Sequence, residues 1–485
     1  MLFTSIEFFI FFGLVFIFQW YIHPLFSKED GNDQSTSLHV FLLVASYYFY
    51  MSWDYRFGAL ILISTLIDYY LAIQIFNTEN IRMRKLYLLS SLILNLVCIL
   101  GFFKYYNFFA RSLNGVAGNL GYSPFAPILD IILPVGISFF TFQSLSYTID
   151  VYRKVIPVEK SLLRFALYVS FFPQLVAGPI VTAKTFLPQL FRKVKLEEID
   201  FKKAIRYFLL GYFKKVVISD NVSPIVDLIF KNPENYGTSA LWLANILFAI
   251  QLYGDFSGYT DMAYSSALLL GYELPENFYL PFKATSVTDF WRRWHISLST
   301  WLRDYIYISL GGSRYGKSRH KFNLFMTMFL GGIWHGANWT FFLWGTFMGF
   351  FLAVESIAGD LKEKYFKGNY SKFNFILNPI GFIYGMGFVV FACTLFRGES
   401  LEKSILMMKN MVFYVAGNPR PYMIKTCLSV VTLVFLGHLF GHWIYEKKRD
   451  FKIPYWLELV SYPFLILGIA YFTNDNEAPF IYFQF

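Results

Sequence analysis

The chain has 485 residues, of which 56% are hydrophobic, 21% aromatic and only 15% charged, and phenylalanine alone occurs 58 times. Water-soluble domains carry about 25% charged residues, so this composition excludes a soluble enzyme and indicates a chain folded in lipid. The formal charge of +10 is no argument for a nucleic-acid partner, because in so apolar a chain an excess of Lys and Arg marks loops on the cytoplasmic side of a membrane.

In chain order, apolar segments fall near 3–25, 39–52, 57–76, 86–109, 128–149, 163–180, 205–230, 241–270, 322–333, 338–356, 374–396, 426–445 and 455–472. A run of about 18 apolar residues crosses a hydrocarbon core of ~30 Å, and the shorter segments read as re-entrant or interfacial. The expected fold is therefore an all-α polytopic membrane protein. It is a single transmembrane domain over residues 1–485, with about 10–12 transmembrane helices plus re-entrant and interfacial helices. The first run, Leu2 to Phe26, has no basic segment before it and no small-residue cleavage site after it, and is read as a retained helix rather than a signal. No internal repeat is visible. Cys98, Cys393 and Cys427 stand singly in apolar stretches and read as packing residues, with neither a disulfide nor a metal expected.

The loops give an orientation. Arg82, Arg84 and Lys85 lie in one linker, and Arg153, Lys154, Lys160 and Arg164 in another. The stretch 184–215 carries nine basic residues, from Lys184 to Lys214 and Lys215, without a continuous apolar run. Placing these loops in the cytoplasm leaves the N-terminus outside, and makes 184–215 a set of amphipathic helices along the interface. The polar block 272–321, with Arg292, Arg293 and Arg303, faces the cytoplasm by the same rule.

Chemistry is concentrated around two of the seven histidines. His335 stands in Gly331-Gly332-Ile333-Trp334-His335-Gly336-Ala337-Asn338-Trp339, inside a strongly apolar stretch. An imidazole in hydrocarbon costs free energy unless it is paired or faces a polar cavity, which makes it a functional candidate; the bland reading is a packing histidine bonded to a neighbouring carbonyl. His295 lies in a run of Trp and Arg, from Asp289 to Trp301, suited to headgroup depth, so an interfacial anchor competes with a site. His23, His39, His320, His438 and His442 have no comparable surroundings and read as structural or solvated. Gly311 to Ser318 formally matches G-x-x-x-x-G-K-[ST], but that loop works between a strand and a helix of a soluble α/β domain. A basic loop meeting lipid or nucleotide phosphates suits these residues better. Gln251 to Asp261 puts two carboxylates and several hydroxyls in a helix-length apolar run, where Asp255 could orient an imidazole or pack against a buried Arg. The aromatic end, Phe480 to Phe485, is either an interfacial anchor or the carrier of an acyl acceptor, the Tyr482 hydroxyl.

The runs "DFWRRWHISLSTWLRDYIYISLGG" (289–312) and "GGIWHGANWTF" (331–341) strongly resemble the membrane-bound O-acyltransferase family, and its bacterial polysaccharide-acetylating branch above all. "GFFKYYNFF" (101–109), "LPVGISFFTFQSLSYTIDVYR" (133–153), "FFPQLVAGPI" (171–180), "QLYGDFSGYTDMA" (251–263) and the terminal "FIYFQF" extend the resemblance over nearly the whole chain. The resemblance implies a funnel through the bacterial inner membrane and no bound cofactor. An acetyl thioester, acetyl-CoA, would enter from the cytoplasm, with His335 as general base, His295 on the donor side and Arg292, Arg293 and Arg303 binding the donor. Trp334, Asp255 and Asn338 would support them, Asn338 by sharing a helix face with His335. It also implies Tyr482 as acyl carrier and a periplasmic SGNH-type partner that completes O-acetylation of a cell-envelope polysaccharide. Alginate, peptidoglycan and other exopolysaccharides all fit. Two other classes stay open from the residues alone: a transporter of a lipid-linked sugar or acyl donor, and a scaffold subunit without bond chemistry.

Overall fold

The computed structural model describes residues 1–26, 36–176, 178–366, 374–417, 419–443, 455–473 and 480–481. Among them every regular element is a helix. The principal ones are α1 (Ile6–Phe26), α2 (Thr36–Met51), α3 (Tyr55–Asn77), α4 (Ile81–Asn119) and α5 (Ile137–Tyr152). They are followed by α6 (Leu162–Ser170), α7 (Phe201–Phe213), α8 (Asp220–Lys231), α9 (Thr238–Leu269), α10 (Val287–Arg293) and α11 (Ile296–Leu302). The rest are α12 (Lys317–His335), α13 (Trp339–Phe366), α14 (Asn374–Arg397), α15 (Leu401–Val412), α16 (Pro421–His442) and α17 (Tyr455–Phe472).

Among the described residues six helices are long and apolar enough to cross a membrane: α1, α3, α4, and the apolar parts of α13, α14 and α16. Thr36–Met51 and Leu459–Phe472 are apolar but shorter. The chain is thus an all-α polytopic membrane protein. Local signals set the helix starts: Asp54 and Asn80 accept the Arg56 and Arg82 amides at the heads of α3 and α4, both at 2.9 Å, each satisfying a donor that a helix start leaves over.

The chain divides into two compact units, residues 1–208 with 259–275 and residues 209–258 with 276–485. The first is built on aromatic packing, with Phe172 at 5.1 Å from Phe11 and 5.5 Å from Phe49. Its apolar interior also holds paired polar groups. Buried Asp68 accepts from Ser91 Oγ at 2.6 Å and Asn95 Nδ2 at 3.0 Å, and Ser64 donates to Asn95 Oδ1. Polar groups in lipid survive in this way, by pairing across helices.

The second unit carries every described candidate site residue. Its apolar core joins α8, α9, α10 and α13 to α16 with Ile481. At its centre α12 and α13 approach so closely that a Cβ on Gly332 would stand 2.5 Å from the Gly345 Cα. One turn on, a Cβ on Gly349 would meet the Phe325 carbonyl at 2.7 Å. Gly345 and Gly349 are spaced as a small-xxx-small pair, which lets helix backbones touch in a membrane.

Candidate active site

His335 is the last residue of α12 and is buried. The glycine contact below it fixes where α12 ends, and aromatic rings fix the imidazole. Trp344 and Phe396 each lie edge-on at 5.1 Å, and Trp334 at 5.0 Å. Against this imidazole lies a small apolar cavity of about 40 Å³, lined also by Trp291, Trp294, Trp344, Met348, Val389, Cys393 and Phe396.

His295 is fully buried at the start of α11, in a left-handed backbone conformation with φ 45°. The segment 277–279 holds it there. Ile296 N–H donates to Asn277 O at 3.0 Å and Tyr279 N–H to Arg293 O at 2.9 Å. Asn277 Oδ1 accepts from Ser297 N–H at 3.2 Å and from Ser297 Oγ at 2.8 Å, which fixes it as the oxygen of the amide. His295 Nδ1, 3.1 Å from the same oxygen, must therefore donate, and the neutral ring carries its lone pair on Nε2. Burial pushes this imidazole down to about 3, so it is neutral throughout the physiological range. Trp334 stands between the two histidines, 6.4 Å from the His295 ring and 5.0 Å from that of His335.

A second cavity, of about 960 Å³, is lined by Trp291, Arg292, Arg303, Tyr307, His320 and Glu355 among others. Trp291 belongs to both linings. Glu355, on α13, holds the start of α10 in place: its carboxylate accepts Val287 N–H at 2.7 Å, Thr288 N–H at 2.8 Å and the Thr288 hydroxyl at 2.6 Å. A carboxylate at a helix N-terminus satisfies free donors and meets the positive end of the dipole. Of the three arginines expected on the donor side, Arg292 and Arg303 line this cavity. Arg293 does not, being paired with Asp289 at 3.0 Å and lying over the Tyr279 ring.

Two sequence readings are corrected. Asn338 shares no helix face with His335, because α12 stops at His335 and Gly336 is extended. Its Oδ1 instead accepts Thr340 N–H at 3.1 Å at the head of α13. Lys215, counted among the cytoplasmic charges, is buried, with its ammonium 2.8 Å from Asp220 Oδ1 and 2.9 Å from Asp255 Oδ1. His320 shares a 2.6 Å hydrogen bond with the Tyr307 hydroxyl on the wall of the large cavity. The lysine of the Gly311–Ser318 loop, Lys317, pairs with Asp360 at 2.8 Å.

Asp255 neutralises a lysine and does one thing more: its Oδ2 accepts the Ile481 N–H at 2.6 Å. Phe480 and Ile481 are buried, with Phe480 5.8 Å from Phe256 and Phe256 edge-on to His295 at 4.7 Å. Tyr482 lies outside the described residues. Sequence reasoning missed Asn277, Glu355 and Lys215. An Asn in a loop and one Lys in a basic run carry no pattern, while Glu355, an acid in an apolar span, was a signal that could have been used.

A buried imidazole beside a small apolar cavity, with two arginines lining a second cavity that shares one indole, suits proton abstraction next to an anionic donor. The model of the membrane-bound O-acyltransferase family matches residues 6–397. A "Probable alginate O-acetylase AlgI" of Pseudomonas aeruginosa is 40% identical over 375 residues, 77% of this chain and 69% of the relative. A peptidoglycan O-acetyltransferase of Helicobacter pylori is 31% identical over 525 residues, covering 97% and 94% of the two chains. A teichoic acid D-alanyltransferase of Bacillus subtilis is 26% identical over 255 residues, 50% of this chain and 64% of that one.

Proposed function

Because the chain belongs to the membrane-bound O-acyltransferase family, we propose that this O-acyltransferase moves acetyl from acetyl-CoA toward a cell-envelope polysaccharide across the bacterial inner membrane. The observation that carries the reading is His335 at the end of α12, facing a small apolar cavity that Trp291 separates from a large one bearing Arg292 and Arg303. The large cavity takes the nucleotide end of the donor, with the guanidinium groups on its phosphates. The thioester end passes Trp291 to His335. There the imidazole takes the proton of an acceptor hydroxyl as its oxygen attacks the thioester carbonyl. The new C–O bond forms, the C–S bond breaks, and the thiolate leaves as CoA after regaining a proton. A positioned base of this kind is worth roughly 10²–10⁴-fold in rate. His295, neutral and oriented by Asn277, assists or holds the donor from the other side of Trp334.

The first acceptor in this reading is the Tyr482 hydroxyl, one residue beyond the Ile481 amide that Asp255 holds. Acetyl-tyrosine then hands its acyl group to a periplasmic SGNH-type partner, which places it on sugar hydroxyls of an alginate- or peptidoglycan-type polymer. These acceptor classes follow the names of the relatives. His335→Ala should lower polysaccharide acetylation by roughly 10²-fold or more with the protein still inserted. Tyr482→Phe should abolish it as well. Unchanged acetylation in the first variant removes the enzyme reading, and in the second removes the carrier tyrosine alone.

A further inference from the structure

The cavity beside His335 is too small to be indifferent to the acyl group it receives. A buried water needs about 10–15 Å³ of such space, and a cavity of ~150 Å³ admits benzene. At about 40 Å³ the cavity beside His335 lies between these, on the scale of two or three heavy atoms. Its walls cannot readily retreat. Trp344 and Phe396 pack on each other at 5.2 Å and each on His335 at 5.1 Å. Phe341 closes on Phe396 from behind at 5.2 Å. The backbone under Trp344 is locked, because Gly345 already touches α12 at Gly332. Overfilling a wall of this kind forces side chains off their rotamers instead of deepening the space.

Resting on the acyltransfer reading above, we propose that this cavity measures the acyl chain: it admits acetyl and rejects longer groups, with Met348 and Val389, both in its lining, as the specificity-determining residues. Both are buried and apolar, on facing helices α13 and α14, and neither is among the rings packed on the imidazole. The bonds made and broken are those of the acetyl reaction, and only the chain on the carbonyl carbon differs. Shortening Met348 removes the last atoms of an unbranched side chain and enlarges the space. Shortening Val389 does the same from α14.

The test uses membrane vesicles from cells expressing the full chain with its own polysaccharide machinery, supplied with radiolabelled acetyl-, propionyl- or butyryl-CoA, and reads label on the polymer. A methylene too many in a tight pocket costs about 10–200-fold, so wild type should transfer butyryl at least tenfold more slowly than acetyl. Met348→Ala and, independently, Val389→Ala should each raise the butyryl-to-acetyl ratio about tenfold. The Val389 change removes less side chain and serves where the Met348 variant is poorly inserted. Wild-type transfer of butyryl within threefold of acetyl, or a ratio unmoved in both variants while transfer still requires His335, overturns the chain-length assignment alone. Label transfer that survives His335→Ala overturns the acyltransfer reading beneath it too.

Discussion

His295 shows what a single residue is made to bear. Its left-handed backbone, φ 45° and ψ 54°, costs a non-glycine residue of order 1–3 kcal/mol, and Asn277 holds it there through side chain and backbone together. Burial also keeps the ring from charging, down to about 3. The unfolded chain takes up this proton near the ordinary histidine value of about 6.5, and the folded chain does not. Between those two values the unfolded state binds more protons, so His295 makes stability fall as pH falls, from roughly pH 6.5 downward. His295→Gln should therefore flatten the loss of Tm between about pH 6.5 and 4, read by tryptophan fluorescence in detergent; an unchanged slope would refute the assignment. Both histidines were legible in the sequence, because an imidazole among tryptophans and glycines has few structural reasons to be there. Asn277, eighteen positions before His295 along the chain, was not, since nothing in a lone Asn says which ring it will meet.

At the scale of elements the site depends on one hairpin, α12 and α13. The backbones touch through Gly332, Gly345 and Gly349, and the hairpin's tip places His335 on one arm and Trp344 on the other. Gly345→Leu would drive a side chain into the Met328 and Phe329 carbonyls. Expected is a marked drop in Tm together with loss of acetylation, whereas Gly359→Leu on the same helix, where nothing stands within 4 Å, should leave Tm nearly unchanged. Equal effects of the two changes would show that the close approach is not what holds the hairpin. The apolar runs made α12 and α13 legible as helices. The break between them was not: Gly-Ala-Asn reads equally as a continued helix face, and only the cap at Thr340 shows that Asn338 opens a new helix.

For the molecule as a whole, hydropathy and the family motifs carried the fold class, since helices are the only described element able to satisfy a backbone in lipid. The burial of Lys215 was beyond both, as a basic residue at the end of a basic run looks solvated until Asp255 and Asp220 are seen beside it. Lys215→Met leaves two buried carboxylates without their cation, a loss of about 3–5 kcal/mol. The double variant Lys215→Met/Asp255→Asn should recover part of the Tm lost by Lys215→Met alone. A double variant less stable than either single one would contradict the pairing.

The bond from Ile481 to Asp255 spans 226 positions. At about 5–20 residues per second, the ribosome finishes Asp255 some 10–45 s before it reaches Ile481. Throughout that interval the nascent helix bundle must hold an acid in its interior with one of its later donors still unmade. Lys215, already synthesised, is the group that makes the wait tolerable, and the arrival of Ile481 is then the step that supplies the remaining donor. Completion of this buried cluster is therefore timed by the synthesis of Ile481 rather than by insertion of the helix that carries Asp255.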